Sequence, residues 1–353
     1  MPSFGWGRRA GRRAAALAAV ALALVASGLP GCGSGAKAGG GEAASARCEG
    51  AAVLCDRRLD EVVFAGTHNS FAASKEPGWY FANQTYPISR QLQEGIRALL
   101  IDVHFGVYDP TTGRVRTDLT AEGSDRNKVA EQVPPSALRL ADRLAGRVGV
   151  GTLNGPPAPY LCHTLCELGA EPLGQELEVI RSFLAAHPQQ VLVVIVEDYV
   201  PPATIEQAFE QAGLLRYVVT LDRSRPLPTL GSLVAGGHRL VVFAEEKGGS
   251  PSWYMPAFSF IQDTPLGATR PDQLGCERYR GEEHSPVLLI NHWIPPFPPS
   301  LTVNAAIGRA PFLRGRIERC LRTRGFKGAI VAVDFYQRTS VVEVADELND
   351  GTP

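Results

Sequence analysis

The apolar residues of this chain fall into short runs that end in residues able to carry out acid–base or metal chemistry. The first run, residues 59–66, is rich in β-branched and aromatic side chains and leads into Thr67, His68, Asn69 and Ser70. Later apolar runs contain such a residue or lead directly towards one. These residues, with the bounds of their runs in parentheses, are Asp102 (99–103), His163 (160–161), Glu197 (191–196), Glu245 (240–245), His292 (287–292) and Asp334 (330–335). Such runs are typical of strands buried on both faces. We expect the polar groups at the carboxyl ends of parallel strands, where α/β folds bind ligands.

Segments with helical spacing of apolar residues alternate with these runs. The clearest is 173–187, which Pro188 ends. Other predicted helices are a short one from Ser89 that holds Leu92 and Ile96, then 204–212, 229–235, 314–324 and 341–348. A further strand is predicted at 217–221. Helix-then-strand alternation predicts an α/β fold of the TIM-type (β/α)8 barrel, irregular or incompletely closed.

Two segments lack clear periodicity and are predicted to be loop insertions on the active face of the barrel. The first covers 107–155, with a helix at 135–144, and the second covers 248–283 with several aromatic residues. A chain of 353 residues with 44% hydrophobic and 20% charged residues suits one main domain with appendages. The formal net charge of −1 gives no sign of a nucleic-acid surface.

The beginning of the chain has the features of a bacterial export signal. An arginine-rich start precedes an apolar run at 14–25, and the signal is predicted to cover 1–31. Cys32 then suits a lipoprotein anchor in the cell envelope, and ordinary secretion is the alternative. The Gly/Ala/Ser-rich residues 32–47 are predicted to form a flexible tether, and the folded domain is predicted to cover 48–353.

The cysteines agree with an exported protein. Apart from Cys32 they form an even set, whose close spacings favour the pairs Cys48–Cys55 and Cys162–Cys166 and leave Cys276–Cys320. The alternative is that Cys162, His163 and Cys166 contribute to a zinc site.

His68 and His163 suit the transfer of a proton from a nucleophile and to a leaving group. An imidazole with a reference pKa near 6.5 serves as base or acid at neutral pH. The oxygen-bearing side chains of Asn69, Asp102 and Glu197 suit a hard cation such as calcium. Together these groups indicate phosphoryl transfer from a diester.

At these positions the chain resembles the X domain of phosphatidylinositol-specific phospholipase C. The resemblance rests on residues 67–70, on Gln91, Leu92, Gly95, Ile96, Arg97 and Asp102, and on His163 before a helix. Residues Cys162, His163, Cys166, Leu168 and Gly169, together with Val333, Asp334 and Phe335, are similar to secreted phospholipase C-like phosphodiesterases.

The resemblance implies a role for each matching residue. His68 corresponds to the general base that takes the proton of the inositol 2-hydroxyl, and His163 to the general acid that protonates the leaving oxygen. The implied product is a cyclic inositol phosphate. Asn69, Asp102 and Glu197 correspond to calcium ligands. The chain departs from the calcium-dependent branch at Leu100, where that branch has a glutamate.

Four further residues are predicted to belong to the site. Asp334 is expected to orient His68 through a ring hydrogen bond. His104, Glu245 and His292 are expected to contact the substrate. The expected partner is a phospholipid or another phosphodiester, with contact to a membrane surface, and the protein is expected to be a monomer.

Two other readings of the sequence stay open. The missing carboxylate at Leu100 favours a catalytically silent barrel that binds lipid headgroups or glycans. A glycerophosphodiester phosphodiesterase is a rival enzyme, although Asn69 after His68 counts against it because that family has a His-Arg pair.

Overall fold

The computed structural model describes residues 47–118, 139–140, 155–163, 165–295 and 298–351. The predicted export signal, Cys32 and all but the last tether residue lie outside this part of the chain. The predicted helix at 135–144 also lies outside it, apart from residues 139–140, which are helical. None of the described helices is both long and apolar enough to span a bilayer.

The described residues form eleven strands in one sheet. These are β1 (Val63–Thr67), β2 (Ala98–Asp109), β3 (Arg114–Thr117), β4 (Ala158–Leu161), β5 (Glu171–Pro172), β6 (Leu192–Asp198), β7 (Leu240–Ala244), β8 (Tyr254–Pro256), β9 (Ile261–Asp263), β10 (Val287–His292) and β11 (Ala329–Val333). The main helices are α1 (Ile88–Gln93), α2 (Leu173–Ala186), α3 (Pro202–Gln211), α4 (Leu230–Gly236), α5 (Ala257–Phe260), α6 (Leu301–Ile307), α7 (Ala310–Arg324) and α8 (Val341–Asp350).

Eight of the strands are parallel neighbours and form a TIM-type barrel that is incompletely closed. Their order is β8-β7-β6-β2-β1-β11-β10-β9, and every neighbouring pair is parallel. No pairing links β8 to β9 within the described residues, and only α5 separates these two strands along the chain. The predicted α/β barrel and its incomplete closure are therefore confirmed.

Alternation of side chains divides the strand residues between two buried layers. On β2, Leu99 and Ile101 pack with Leu177 and Ile180 of α2, whereas Leu100 packs with Phe243 inside the barrel. Both layers are apolar, which explains why the strands appear in the sequence as continuous hydrophobic runs. Because apolar side chains fill the barrel interior, polar groups collect beyond it at the carboxyl ends of the strands.

Strand β2 continues past the barrel and supports a small antiparallel extension. Its first half pairs with β6, and its second half pairs antiparallel with β3 and β4, while β5 pairs with β4. We call β3, β4, β5 and the second half of β2 the antiparallel extension. This extension leads the chain directly to Cys162 and His163.

The sequence predicts eight barrel strands, of which six are confirmed and two are wrong. The run at 160–161 lies in β4, which is antiparallel to β2 and is not a barrel strand. Residues 217–221 form only an isolated bridge between Val218 and Leu240. Instead, the supposed insertion at 248–283 contains β8 and β9. Strands of three residues are too short to show a periodicity, and Pro256 ends β8.

Other element boundaries differ from the prediction by a few residues. A 3-10 turn occupies Leu59–Glu61, so β1 starts later than predicted. Helix α1 begins after Pro87 rather than at Ser89, and it ends before Ile96. Strand β10 matches its predicted range of 287–292.

The three predicted disulfide bonds are confirmed as Cys48–Cys55, Cys162–Cys166 and Cys276–Cys320. The zinc alternative is wrong because a metal site needs thiolate ligands, and both of its cysteines are oxidised. His163 therefore lies in a short loop that the second disulfide closes.

Candidate active site

A cavity of about 520 Å³ opens at the carboxyl ends of the barrel strands. Six of the predicted site residues or their neighbours line it: His68, Asp102, His163, Glu197, Glu245 and Trp293. The structure thus brings together residues that are more than 200 positions apart in the sequence. The predicted convergence of polar groups at one rim is observed.

His68 occupies a position that three neighbouring strands define. It follows β1 directly, and its backbone N–H donates to the carbonyl of Val333 at 3.0 Å. Nδ1 of its ring lies 2.9 Å from Oδ1 of the buried Asp334, which follows β11. Asn69 and Phe335 adopt left-handed φ angles of 44° and 50°, so the chain turns sharply after both His68 and Asp334. With Nδ1 bound to the carboxylate, Nε2 remains for chemistry in the cavity.

Asp334 is itself held by a second polar side chain. Nδ2 of Asn83 donates to Oδ2 of Asp334 at 3.1 Å. Nε2 of Gln84 donates to the carbonyls of His68 and Val333, at 2.8 and 3.0 Å. The predicted contact between Asp334 and His68 is present, and residues 83 and 84 fix both partners.

His163 is held differently, at the end of the antiparallel extension. Its Nδ1 lies 3.0 Å from Oδ2 of Asp102, a buried residue of β2. Burial lowers the pKa of His163, but the hydrogen bond and charge of Asp102, with the charge of Glu197, outweigh it and leave the pKa raised. The side chain remains 46% exposed because it faces the cavity. A raised pKa favours the protonated form, which a general acid needs.

The two rings lie edge to face at the cavity. Their centroids are 6.3 Å apart and their planes meet at 82°. Each ring is bound through Nδ1 to a carboxylate, Asp334 for His68 and Asp102 for His163. This separation allows one phosphodiester group to contact both histidines, one on each side.

Carboxylates dominate the charge of the cavity wall. Burial raises the pKa of Glu245 to about 8, although Arg280 favours its charged form. Burial and the neighbouring charge of Asp102 also raise the pKa of Glu197, whose carboxylate accepts a hydrogen bond from Tyr199. Among the described lining residues the lysine or arginine is Arg280, which is bound to Glu245 at 2.7 Å and to Asp263 at 2.6 Å. An anionic diester entering this cavity would meet more carboxyl groups than cationic side chains.

The predicted calcium ligands Asn69, Asp102 and Glu197 have the donor chemistry that a hard cation requires. Asp102 and Glu197 are register partners on β2 and β6, and both line the cavity. One end of the Asn69 amide lies 3.1 Å from Oδ2 and 3.3 Å from Oδ1 of Asp102. If this end is the nitrogen, it donates to Asp102, and the amide oxygen accepts from His163.

In the opposite orientation the Asn69 oxygen faces Asp102, and its nitrogen donates to Oδ1 of Asn83 at 3.2 Å. Two ligand oxygens at right angles on a calcium ion lie about 3.4 Å apart, so this orientation suits a shared cation, although it also brings the Asn69 nitrogen to 3.0 Å from Nδ1 of His163, which would then accept from Asn69 instead of donating to Asp102. The predicted set of calcium ligands contains two carboxylates, those of Asp102 and Glu197. Within the described ranges no cluster of three or more His, Cys, Asp or Glu residues could hold a metal. Leu100 lines the cavity beside them and provides no ligand.

Two of the predicted substrate contacts are buried away from the cavity. His104 is 3% exposed and stacks on Tyr199 at 4.1 Å, so Tyr199 separates it from the cavity. His292 is 1% exposed, donates through Nε2 to the carbonyl of Ile307 and accepts at Nδ1 from Arg316. Neither residue is among those that line the cavity. Glu245, the third predicted contact, does line it.

Sequence reasoning missed several residues of the cavity wall. Along β10 the alternation of side chains places 291 and 293 on the face opposite to His292, and Asn291 and Trp293 do line the cavity. This alternation was the available signal. Arg280 carries no such signal, because it belongs to segment 248–283, which lacks clear periodicity in the sequence.

Comparison with known proteins identifies the family. The family model PI-PLC X 1 matches residues 158–349, which is more than half of the chain. The chain belongs to the PI-PLC X family. The matched range contains His163, Glu197 and Asp334, whereas His68 and Asp102 precede it.

Two curated proteins are similar to this chain over longer alignments. A PI-PLC X domain-containing protein 1 from Arthroderma benhamiae is 22% identical over 323 residues, which cover 86% of this chain and 89% of that protein. A protein from the same organism, named an uncharacterized secreted protein, is 24% identical over 231 residues. That alignment covers 63% of this chain and 41% of the relative, so it leaves most of the relative unmatched.

Among solved structures, the chain is similar to the phosphatidylinositol-specific phospholipase C from Listeria monocytogenes. The identity is 15% and the TM-score is 0.47, with 85% of this chain and 98% of that chain covered.

Proposed function

We propose that this protein is an exported phosphoric diester hydrolase that cleaves a phospholipid-type phosphodiester. One observation carries the proposal: two histidines, each bound through Nδ1 to a carboxylate, line one cavity with ring centroids 6.3 Å apart. Membership of the PI-PLC X family supports the same reaction class.

In the proposed reaction His68 is the general base. Its Nε2 takes the proton from a hydroxyl of the substrate, the inositol 2-hydroxyl in a phosphoinositide, as this oxygen attacks phosphorus. The bond from phosphorus to the glycerol oxygen breaks, and His163 gives its proton to that oxygen. The product is a cyclic phosphodiester, which water can then open with the two histidines in reversed roles.

Asp334 and Asp102 have matching tasks in this scheme. Asp334 keeps the Nδ1–H tautomer of His68 and stabilises the imidazolium that forms there. Asp102 raises the pKa of His163 and so keeps a proton available for the leaving group. Glu245 and Arg280 line the same cavity and are proposed to contact the headgroup.

Calcium is the proposed cofactor, held by Asn69, Asp102 and Glu197 with water or substrate completing the ligand set. A bound calcium ion would offset the negative charge on the phosphoryl oxygens. The excess of carboxylates in the cavity wall supports this part of the proposal.

The proposed setting is the surface of a membrane outside the cytoplasm. Three disulfide bonds and the relative named as a secreted protein support export. Leu266 and Tyr279 lie at the cavity and are 41% and 57% exposed, which supports contact with a lipid surface. Anchoring through Cys32 remains part of the proposal.

Leu100 favours one competing function, a silent barrel that binds headgroups without cleaving them. It lines the cavity where a further ligand carboxylate would strengthen a calcium site.

The test is turnover of phosphatidylinositol vesicles by the domain from Cys48 onward, followed by phosphorus NMR with calcium or with a chelator. We expect a cyclic inositol phosphate that requires calcium. Equal turnover in the presence of chelator would support the roles of the two histidines and show that the reaction does not require calcium. If the protein binds the vesicles but cleaves neither phosphatidylinositol nor other phosphodiesters, the silent barrel is favoured.

A further inference from the structure

The face of the His68 ring is covered by an indole that the proposed reaction does not use. The rings of His68 and Trp293 are stacked with centroids 3.9 Å apart and planes 5° from parallel. Trp293 is 8% exposed, so protein surrounds most of this side chain. Both rings line the cavity.

The barrel itself produces this stack. Val333 of β11 is the register partner of Thr67 on β1 and of His292 on β10. The next residue on each chain segment is His68, Asp334 or Trp293. Three consecutive strand ends therefore deliver the imidazole, its carboxylate partner and the indole to the same level.

We propose that Trp293 is a positioning residue for His68, which together with Asp334 fixes the imidazole so that Nε2 points to the reacting hydroxyl. This inference rests on the proposed function, in which His68 is the general base. The hydrogen bond to Asp334 holds one edge of the ring but permits rotation about that contact. The parallel indole removes this freedom, because any tilt of the imidazole would collide with it.

The indole also offers its electron-rich face to the imidazolium that forms when His68 takes the proton. Among the described residues, no ring is stacked on His163 in this way. It lies edge-on to His68 and is 46% exposed. The two histidines are thus held by different means: within the described part of the chain, a stacked aromatic ring supports the proposed base but not the proposed acid.

The first test observes the position of the ring without requiring activity. Protein labelled with carbon-13 in its histidine rings gives a resonance for each of seven histidines, and His68 is the one lost in His68→Gln. The ring current of Trp293 should move the His68 resonance upfield. In Trp293→Leu we expect this resonance to move downfield and broaden, as the ring samples several orientations. In Trp293→Phe it should stay upfield and narrow.

Trp253 provides the matched control. It is also buried, at 9% exposure, and packs on Phe209, but it does not line the cavity. Trp253→Leu should leave the His68 resonance unchanged. If Trp293→Leu fails to fold, Trp293→Met replaces it.

The second test separates positioning from substrate binding by kinetics. In Trp293→Leu we expect kcat to fall on the order of 10-fold with little change in KM, because a misplaced base affects the reaction more than binding. Trp293→Phe should restore most of the loss. A raised KM at unchanged kcat would make Trp293 a substrate contact and overturn the proposal.

The two tests keep the two proposals distinguishable. If the unmodified protein cleaves no phosphodiester, the proposed function fails, and the resonance experiment alone decides about Trp293. A His68 resonance that keeps its position and width in Trp293→Leu would overturn the positioning role, whatever the activity.

Discussion

The two halves of the candidate site are built in different ways, although each presents one histidine bound to one carboxylate. His68 belongs to the barrel: strands β1, β11 and β10 end beside one another and deliver the ring, Asp334 and the stacked Trp293. His163 belongs to the antiparallel extension and is the more exposed of the two, at 46% against 19% for His68.

This difference indicates how function and fold are linked. A base fixed by three adjacent strands depends on the packing of the whole barrel. An acid carried on a loop depends on local devices, here the Cys162–Cys166 disulfide and the contact with Asp102. We therefore expect changes near His163 to alter activity with little loss of stability.

The largest expected effect comes from replacing the histidine in each half of the candidate site in turn. His68→Ala and His163→Ala should each lower phosphodiesterase activity by about 10²- to 10⁴-fold, the usual contribution of a general acid or base. Circular dichroism and thermal unfolding should show a retained fold. Full activity in either variant would remove that histidine from the mechanism.

Removing one disulfide bond at a time distinguishes stabilisation of the whole fold from stabilisation of the loop that carries His163. Replacing Cys276 and Cys320 by serine opens a loop with a sequence separation of 44 and should cost about 4 kcal/mol of unfolding free energy. Replacing Cys162 and Cys166 opens a separation of 4 and should cost about 2 kcal/mol. Urea unfolding measures both values.

Activity should respond to the same two variants in the opposite order. The variant without Cys162–Cys166 should lose kcat because His163 is less well held, whereas the folded variant without Cys276–Cys320 should keep it. Equal kcat values in both variants would contradict the idea that the disulfide positions the acid.

A further prediction concerns His104, in the part of β2 that carries the antiparallel extension. Burial lowers the pKa of His104 to about 4, and its Nε2 has no hydrogen-bond partner among the described residues. The unfolded chain binds this proton near pH 6.5. Between pH 6.5 and 4 the unfolded state therefore holds more protons, and stability falls as the pH falls.

His104→Phe should remove this pH dependence while it keeps the stack on Tyr199. The difference between the two proteins should amount to about 2 kcal/mol at pH 5, relative to pH 8. Urea unfolding at the two pH values measures it. An identical pH dependence in both proteins would show that His104 is not held neutral.

The smallest expected effect is a shift in a pH profile. Asp102 raises the pKa of His163, and a general acid loses activity as the pH rises through its pKa. In Asp102→Asn the alkaline limb of the kcat profile should therefore move to lower pH. Asp334→Asn provides the comparison, because it acts on His68 and should leave this limb in place.

The sequence predicted most of this arrangement because its strongest signals are local. The run before His68 and the regular helix α2 show their secondary structure within a few residues. The three cysteine pairs are also correct, since close spacing determined two of them. Residues 67–70 and the polar residue after each apolar run indicated which strand ends matter.

The remaining features depend on contacts between distant segments. Strands β8 and β9 have three residues each, so only pairing with β7 and β10 identifies them. Strand β4 resembles a barrel strand in sequence, but its antiparallel pairing with β2 follows from the path of the chain. Trp293 follows the last residue of β10, and its place in the cavity wall depends on the alternation of side chains along that strand, which turns His292 to the opposite face.

The assignment of base and acid can be tested most directly with a change of leaving group. A phosphodiester of inositol that releases a nitrophenolate needs no proton on its leaving oxygen. We predict that this substrate restores much of the activity of His163→Ala and none of that of His68→Ala, measured by release of the coloured product. Equal rescue of both variants, or rescue of His68→Ala alone, would contradict the roles assigned to the two histidines.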